Sequence, residues 1–414
     1  MSTRGRANAI RAALERRGLG EGNPLRSAEL DAALSNCLAC KACASECPSN
    51  VNLGLLKAEL LHARQRREGV PLRARLISQV DLLGRLGCLA PRLANAALEW
   101  RWVRRLLAVT LGFTSRRPLP PYANERFDRW FAKHRPSANA RRGPVILWDD
   151  TFVRYHEPHI GRAAVAVLEA AGYEVLLPLG RKCCGRPAFS QGNLDAVARL
   201  GRHNLELLQS NAECGMRSAE CGTRNSKLET RNSKLASAPV LFLEPSCWSM
   251  FAEDYRELKL PGAERVAKRC VLFEQFIDEL LRREPDALRF REGTGSAAIH
   301  AHCHAKSLLD PAFMTRLAAR LPGRGAALLE TGCCGMAGAF GAIEQTYDLS
   351  RQVGELLWEK IRQLPEDALV VASGTSCRQQ IKHLSSTRPR HMAEVLAEAL
   401  LSAGEPSRTL AENR

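Results

Sequence analysis

The sequence predicts an α+β multidomain protein, with a helical N-terminal domain followed by two pseudo-repeated α/β Cys-Cys-Gly modules. Three observations carry that prediction. Apolar residues recur at helical spacing through the first third of the chain. Beyond it, short apolar runs alternate with helical stretches, as parallel sheets require. The alternation then occurs twice in the same order, each time around a Cys-Cys-Gly turn. With 414 residues, 45% of them hydrophobic, the chain is long enough for two or three packed domains.

The N-terminal domain is expected over 1–135. Residues 6–67 place Ile10, Ala13 and Leu14, then Leu30 and Leu34, then Leu55, Leu56, Leu60 and Leu61 on helical faces, with a cysteine-rich turn between them. Residues 72–131 form a basic helical extension broken at Pro91, Pro118, Pro120 and Pro121. Within it Trp100, Trp102, Leu106, Leu107 and Leu111 make an amphipathic stretch. A Trp and Leu stripe is usually core, so the stretch reads first as a face packed on a neighbouring domain. Contact with a membrane surface is the second reading.

A polar linker over 133–143 leads into the first module, 144–290, with apolar runs at 145–148, 174–177 and 240–243 and helices over 160–171 and 194–208. The second module, 295–403, repeats the order, with runs at 297–300, 326–329 and 368–372 and helices over 311–321 and 344–364. Segment 211–238 repeats internally with a period of seven but has a single Leu per repeat among Asn, Ser and Gly. It reads as a disordered surface insertion, which sets Cys214 and Cys221 apart from any site. Residues 404–414 read as a flexible tail.

The chain has 15 cysteines, and residues 1–17 are Arg-rich with no apolar signal core, so a cytoplasmic location and thiolates for metal or redox chemistry are expected in place of disulfides. Cys37, Cys40, Cys43 and Cys47, with Pro48 following, have the C-x2-C-x2-C-x3-C-P spacing of ferredoxins. The N-terminal domain is therefore read as ferredoxin-like. Cys37, Cys40 and Cys43 hold three corners of a [4Fe-4S] cluster, and Cys47 either completes it or leaves the fourth ligand to come from elsewhere. Structural zinc is the competing reading, although zinc favours two separated C-x2-C pairs.

Cys183-Cys184-Gly185 with Cys247, and Cys333-Cys334-Gly335 with Cys377 and Cys303, form a second thiolate set suited to another iron-sulfur cluster. A vicinal disulfide or plain buried thiols is the alternative. Aligning Ile146 with Ile299 sets Asp150 opposite Cys303, so the first copy lacks that thiolate. For His300, His302 and His304 the roles of ligand, proton relay and core histidine all stay open. Cys88 and Cys270 stand alone in helical sequence as packed thiols.

No P-loop and no strand-linked G-x-G-x-x-G is present, so a flavin or nicotinamide must be supplied elsewhere. The net charge of +16 is scattered, without an RNP strand or helix-turn-helix, which disfavours nucleic acid and fits an acidic partner or anionic lipid. Basic residues interrupt every apolar run, so no membrane span is expected.

Taken together, residues 37–48, Cys183-Cys184-Gly185-Arg186-Pro187, Glu244-Pro245-Ser246-Cys247, His302-Cys303-His304 and Cys333-Cys334-Gly335-Met336-Ala337-Gly338 resemble the C-terminal iron-sulfur part of FAD-linked D-2-hydroxyacid dehydrogenases. Related iron-sulfur subunits serve glycolate oxidase and anaerobic glycerol-3-phosphate dehydrogenase, and the Cys-Cys-Gly module is also similar to the Cys-Cys-Gly-containing subunit of heterodisulfide reductase. The resemblance covers nearly the whole chain apart from the insertion.

It implies an electron-transfer role for an oxidoreductase that is inactive without a flavoprotein partner. FAD in that partner oxidises a D-2-hydroxy acid of the lactate, glycolate or 2-hydroxyglutarate class, and the electrons leave to a quinone or other acceptor. Peripheral contact with the inner face of the cytoplasmic membrane would fit. In fused members a flavin domain and a first cysteine motif precede a segment like residues 2–7, which implies a separate flavoprotein gene or a truncated reading frame. Neither copy has the C-x-x-C ending of heterodisulfide reductase, which weighs against a five-cysteine non-cubane cluster. Two other classes remain in view: an enzyme with substrate chemistry at Cys303, Cys333, Cys334 and Cys377, and an iron-sulfur sensor that meets nucleic acid.

Overall fold

The apolar runs pair as parallel strands in two small sheets of a computed structural model that describes residues 3–18, 25, 27–48, 51–136, 140–209 and 237–401. The first sheet holds β1 (Pro144–Trp148), β2 (Glu174–Leu176), β3 (Val240–Phe242) and β4 (Cys270–Leu272), in the order β2-β1-β3-β4. The second holds β5 (Ser296–Ile299), β6 (Gly325–Leu328) and β7 (Leu369–Val371), in the order β6-β5-β7. β6-β5-β7 repeats β2-β1-β3, so the internal duplication read from sequence is a duplication of topology. Val145 to Trp148 on β1 and all of β3 are buried, as strands covered on both faces by helices must be.

Two local readings change. Cys270 begins edge strand β4 and is not in a helix, because its three-residue run pairs with β3 from Val240 to Phe242. The helix expected over 344–364 is two helices, Glu344–Val353 and Glu355–Arg362, broken at Gly354. The insertion's repeats, with Cys214 and Cys221, and the tail from 404 lie outside the described residues.

The modules interlock. Helix Met392–Ala399, close to the C-terminus, packs on helix Pro158–Ala170 of the first module, and helix Phe273–Arg283 packs on helix Ala312–Ala318 of the second. Glu244 accepts a hydrogen bond from the Thr375 backbone N–H at 2.6 Å. Arg378 donates to Glu157 at 2.6 Å.

N-terminal helices Thr3–Gly18, Ala28–Ser35 and Leu53–Glu68 pack around Ile10, Leu25, Leu30, Leu34 and Leu60. Ser27 and Asn52 cap the second and third by accepting from Leu30 N and Leu55 N, satisfying amide donors that a helix start leaves unpaired. The basic extension then runs through helices Leu72–Ile77, Val80–Gly87, Pro91–Glu99, Arg101–Leu111 and Phe127–Lys133. Here the first reading of the Trp and Leu stripe holds only in part. Leu107 and Leu111 are half-buried and line a cavity against the modules, whereas Trp100, Trp102 and Leu106 stay exposed among the described residues. No helix among the described residues is long and apolar enough to cross a membrane.

Candidate metal centre

Parallel strands deliver the loops at their carboxyl ends to one edge of a sheet, and in both modules the cysteines lie on those loops. The Cys-Cys pair lies between the second strand and the next helix, and the distant cysteine lies in the first turn of the helix after the third strand: Cys247 in Pro245–Ser249, Cys377 in Thr375–Leu384. Both turns close through a glycine in the left-handed region, Gly185 at φ +83° and Gly335 at φ +85°.

The two glycines face different surroundings. A Cβ on Gly335 would sit 1.9 Å from the Ser350 carbonyl oxygen, whereas one on Gly185 would first meet Val197 Cα at 3.4 Å. Gly185→Ala should therefore lose only the left-handed conformational preference, about 1–2 kcal/mol, while Gly335→Ala adds backbone overlap and should lose about 2–4 kcal/mol. Urea unfolding of the two variants, with the larger loss expected for Gly335→Ala, checks the difference.

Strand register corrects the match between copies. β1 and β3 pair Leu147 with Leu241, and β5 and β7 pair Ile299 with Val371. Cys247 and Cys377 lie equally far beyond Leu241 and Val371, so Leu147 is the counterpart of Ile299, and Thr151, not Asp150, is the counterpart of Cys303. The contacts agree. Thr151 neighbours the Cys183 thiol as Cys333 neighbours that of Cys303. Asp150 corresponds to His302: each caps its helix by accepting from the amide two residues on, Phe152 N at 2.8 Å and His304 N at 3.1 Å.

Cys184 and Cys247 bring their Sγ atoms to 3.0 Å. In the second module a His300 ring nitrogen, Cys334 Sγ and Cys377 Sγ all lie within 4.8 Å of one another, and all three residues are buried. The described cysteines form no disulfide. Contact with Cys333, then burial, holds the Cys303 thiol well above its ordinary range, and contact with Cys184, then burial, does the same for Cys183. Buried thiols this close hold each other's protons on, and a bound cation is what would release them. The donor set therefore fits a thiolate-bound metal or cluster.

The three histidines separate into distinct roles. His304 has both nitrogens engaged, Nδ1 with Ser249 Oγ at 2.7 Å and Nε2 with the Ala39 carbonyl at 3.1 Å. Burial pushes its pKa well down, so it is a neutral strut, with Nε2–H donating and Nδ1 accepting as the partners require. His302 is the helix cap. His300 pairs Nδ1 with Thr331 Oγ1 at 2.9 Å and leaves Nε2 buried without a partner. Burial pulls His300 down to about 3, so the ring is neutral and Nε2 can present a lone pair beside Cys334 and Cys377. Sequence ranked all three below the cysteines; only the fold singles out His300.

The N-terminal cysteine loop reaches the second module. Ala39 and Lys41 both have positive φ, 52° and 65°, an unusual conformation for non-glycine residues and one that surrounding contacts must enforce. Those contacts are visible: His304 holds the Ala39 carbonyl, Ser307 donates to the Cys40 carbonyl at 3.3 Å, and Lys57 donates to the Cys37 carbonyl at 2.7 Å. Lys41 is buried against Glu253 and Asp254 of the first module. Burial, then the nearby Cys303, then Cys37 and Cys43 raise the Cys40 thiol to about 11. The N-terminal loop and the second module's thiols are therefore electrostatic neighbours. Cys47 ends the short helix Ala42–Glu46, its N–H donating to the Cys43 carbonyl at 3.2 Å.

A cavity of about 490 Å³ lies where these parts meet. Cys184, Cys303 and Cys334 line one wall and Leu83, Leu107 and Phe113 of the basic extension line another.

A protein of this build is a two-fold cysteine-rich one, and residues 151–223 and 297–382 each match the CCG cysteine-rich domain. It is similar to D-2-hydroxyglutarate dehydrogenase of Pseudomonas putida, 29% identical over 399 residues that cover 92% of this chain and 36% of that protein. It is also similar to a subunit of the anaerobic glycerol-3-phosphate dehydrogenase of Escherichia coli, 26% identical over 353 residues, 85% of this chain and 83% of the subunit. Lactate utilization protein A of Bacillus cereus is 26% identical over 263 residues, 61% of this chain and 98% of that protein. The chain thus spans about a third of the hydroxyglutarate dehydrogenase, 36% of its length.

Proposed function

We propose that this chain is the iron-sulfur electron-transfer subunit, or domain, of a flavin-linked dehydrogenase. It takes electrons from FAD in a partner chain that oxidises a D-2-hydroxy acid and passes them to a quinone or other acceptor. In this reading residues 1–135 are a ferredoxin-like domain with a basic extension, Cys37, Cys40, Cys43 and Cys47 hold a [4Fe-4S] cluster, and a second cluster is held by Cys303, Cys333, Cys334 and Cys377 with His300 beside them. Cys183, Cys184 and Cys247 of the first module, with Thr151 at the missing thiolate's place, make a poorer donor set. Clusters of this kind, when bound, supply one-electron oxidation and reduction.

The observation that carries the reading is the juxtaposition of the ferredoxin-type loop and the Cys-Cys-Gly thiols around His304 and Cys303. The chain's own residues fix that spacing. His304 and Ser307 hold the loop's carbonyls, Lys41 anchors it to Glu253 and Asp254, and Leu83, Leu107 and Phe113 line the cavity beside the thiols. The names of the relatives, dehydrogenases and a dehydrogenase subunit, support the same class.

Anaerobic purification with iron and sulfide quantification and EPR tests it, comparing wild type with Cys40→Ser and Cys334→Ser. Each substitution should remove a distinct reducible signal and leave the other. Wild-type protein that binds no iron, or only zinc, would refute the electron-transfer role. A second reading, substrate chemistry at the Cys-Cys-Gly thiols, is favoured by the cavity beside them, and turnover of a disulfide substrate by the isolated chain would distinguish it.

A further inference from the structure

Residues 80–111 form three short helices, Val80–Gly87, Pro91–Glu99 and Arg101–Leu111, whose apolar side chains divide between two directions. Leu98, Leu107 and Leu111 turn inward and line the cavity. Leu86, Leu93, Trp100, Trp102, Leu106 and Val109 turn outward and are exposed, Leu93 at 74% and Val109 at 83%. The last two helices bury no residue at all. Most of the large exposed apolar side chains among the described residues belong to this one segment. Single exposed leucines are ordinary; so many on one segment, beside two tryptophans in ring contact, mark a surface that is covered in use.

The charge on the segment selects what covers it. Arg85, Arg92, Arg101, Arg104 and Arg105 stand against only Asp81 and Glu99. Asp81 is already bound to buried Arg181 at 2.8 Å, so the outward field is cationic. An apolar stripe with Trp rings and flanking arginines matches the boundary of an anionic bilayer, where acyl chains receive the leucines, indole rings sit at headgroup depth and phosphates receive the guanidiniums. A packed core would not call for so many arginines beside the stripe. We propose that the 80–111 segment docks the protein on an anionic lipid surface. The docking stands on this geometry alone; that it brings a lipid-soluble quinone to the cavity rests on the electron-transfer reading above.

Co-sedimentation of the full chain with phosphatidylcholine vesicles, with and without phosphatidylglycerol, tests the docking. Binding is expected to the anionic vesicles and to weaken with salt. The double variant Leu93→Glu/Trp102→Glu should bind at least about tenfold more weakly, a difference of about 1.4 kcal/mol, while keeping the wild-type unfolding midpoint and iron content. Absence of vesicle binding, or binding that the double variant leaves unchanged, overturns the proposal. So does a dimer in light scattering that the double variant dissociates, since a second copy would then be the occupant. Iron content and EPR signals report the electron-transfer reading separately, so the two fail independently.

Discussion

Asp149→Ala should lower the stability of the protein by about 3–5 kcal/mol, the loss expected when one partner leaves a buried ion network. Asp149 is fully buried at the end of β1, where it accepts from Arg154 Nη2 at 2.8 Å and from Arg181 Nε at 3.2 Å. The Arg181 side chain is itself fully buried, and its other carboxylate partner is Asp81, at 2.8 Å. Removing Asp149 leaves Arg181 with Asp81 alone and takes from Arg154 its ion-pair partner. Asp149→Asn keeps an acceptor but not the charge and should lose roughly half as much. Urea unfolding of the three proteins measures both values. A loss below about 1 kcal/mol for the alanine variant would mean that water reaches Arg181 and that the network is not dry. Because Asp81 lies on helix Val80–Gly87, the same variant should loosen the seat of the basic extension, seen as faster hydrogen exchange over residues 80–111.

The second large effect depends on pH. Burial lifts Glu274, on the first turn of helix Phe273–Arg283, from the ordinary 4.5 to about 7, against the favourable influence of Ser373 and Arg378. A carboxyl whose folded-state value is raised binds its proton more tightly when folded. Stability therefore falls as pH rises from about 4.5 to about 7, and the cost is fully present above that window. The difference corresponds to about 3 kcal/mol at pH 8 and less than about 1 kcal/mol at pH 5. Glu274→Gln, which keeps an acceptor for the Ser373 hydroxyl, should be more stable than wild type by that amount at pH 8 and nearly equal to it at pH 5. Parallel denaturation curves at the two values decide it; equal gains at both would assign the effect to packing and not to ionisation.

Some of this architecture was written in the sequence and some was not, for physical reasons. The apolar runs at 145–148, 240–243 and 297–300 announce buried parallel strands because only continuous hydrophobicity suits a strand covered on both faces. Cys-Cys-Gly announces a left-handed turn because the glycine is needed there. Thr151 is not legible as the counterpart of Cys303, because matching Ile146 with Ile299 is one residue out and only hydrogen-bonded register fixes it. β4 was missed because three residues carry too little period to be seen. His300 was not separable from His302 and His304, since its distinguishing feature is an unpaired Nε2 facing residues far along the chain. The stripe at 100–111 reads as core because the same spacing serves any apolar neighbour, and sequence does not say whether that neighbour is protein or lipid.

The contacts of the N-terminal loop have a mechanical meaning. His304 ties it to the second module, and Lys41 and Asn52 tie it to Glu253, Asp254 and Glu257 of the first. A redox domain on a free tether must swing between donor and acceptor, and its rate then follows the viscosity of the medium. Here the loop is wedged against two modules and held by both. In the proposed role, passage of charge through such a joint would involve no swing, so its rate should be indifferent to added glycerol, and the moving part of the cycle would fall instead to whatever diffuses up to the protein from outside.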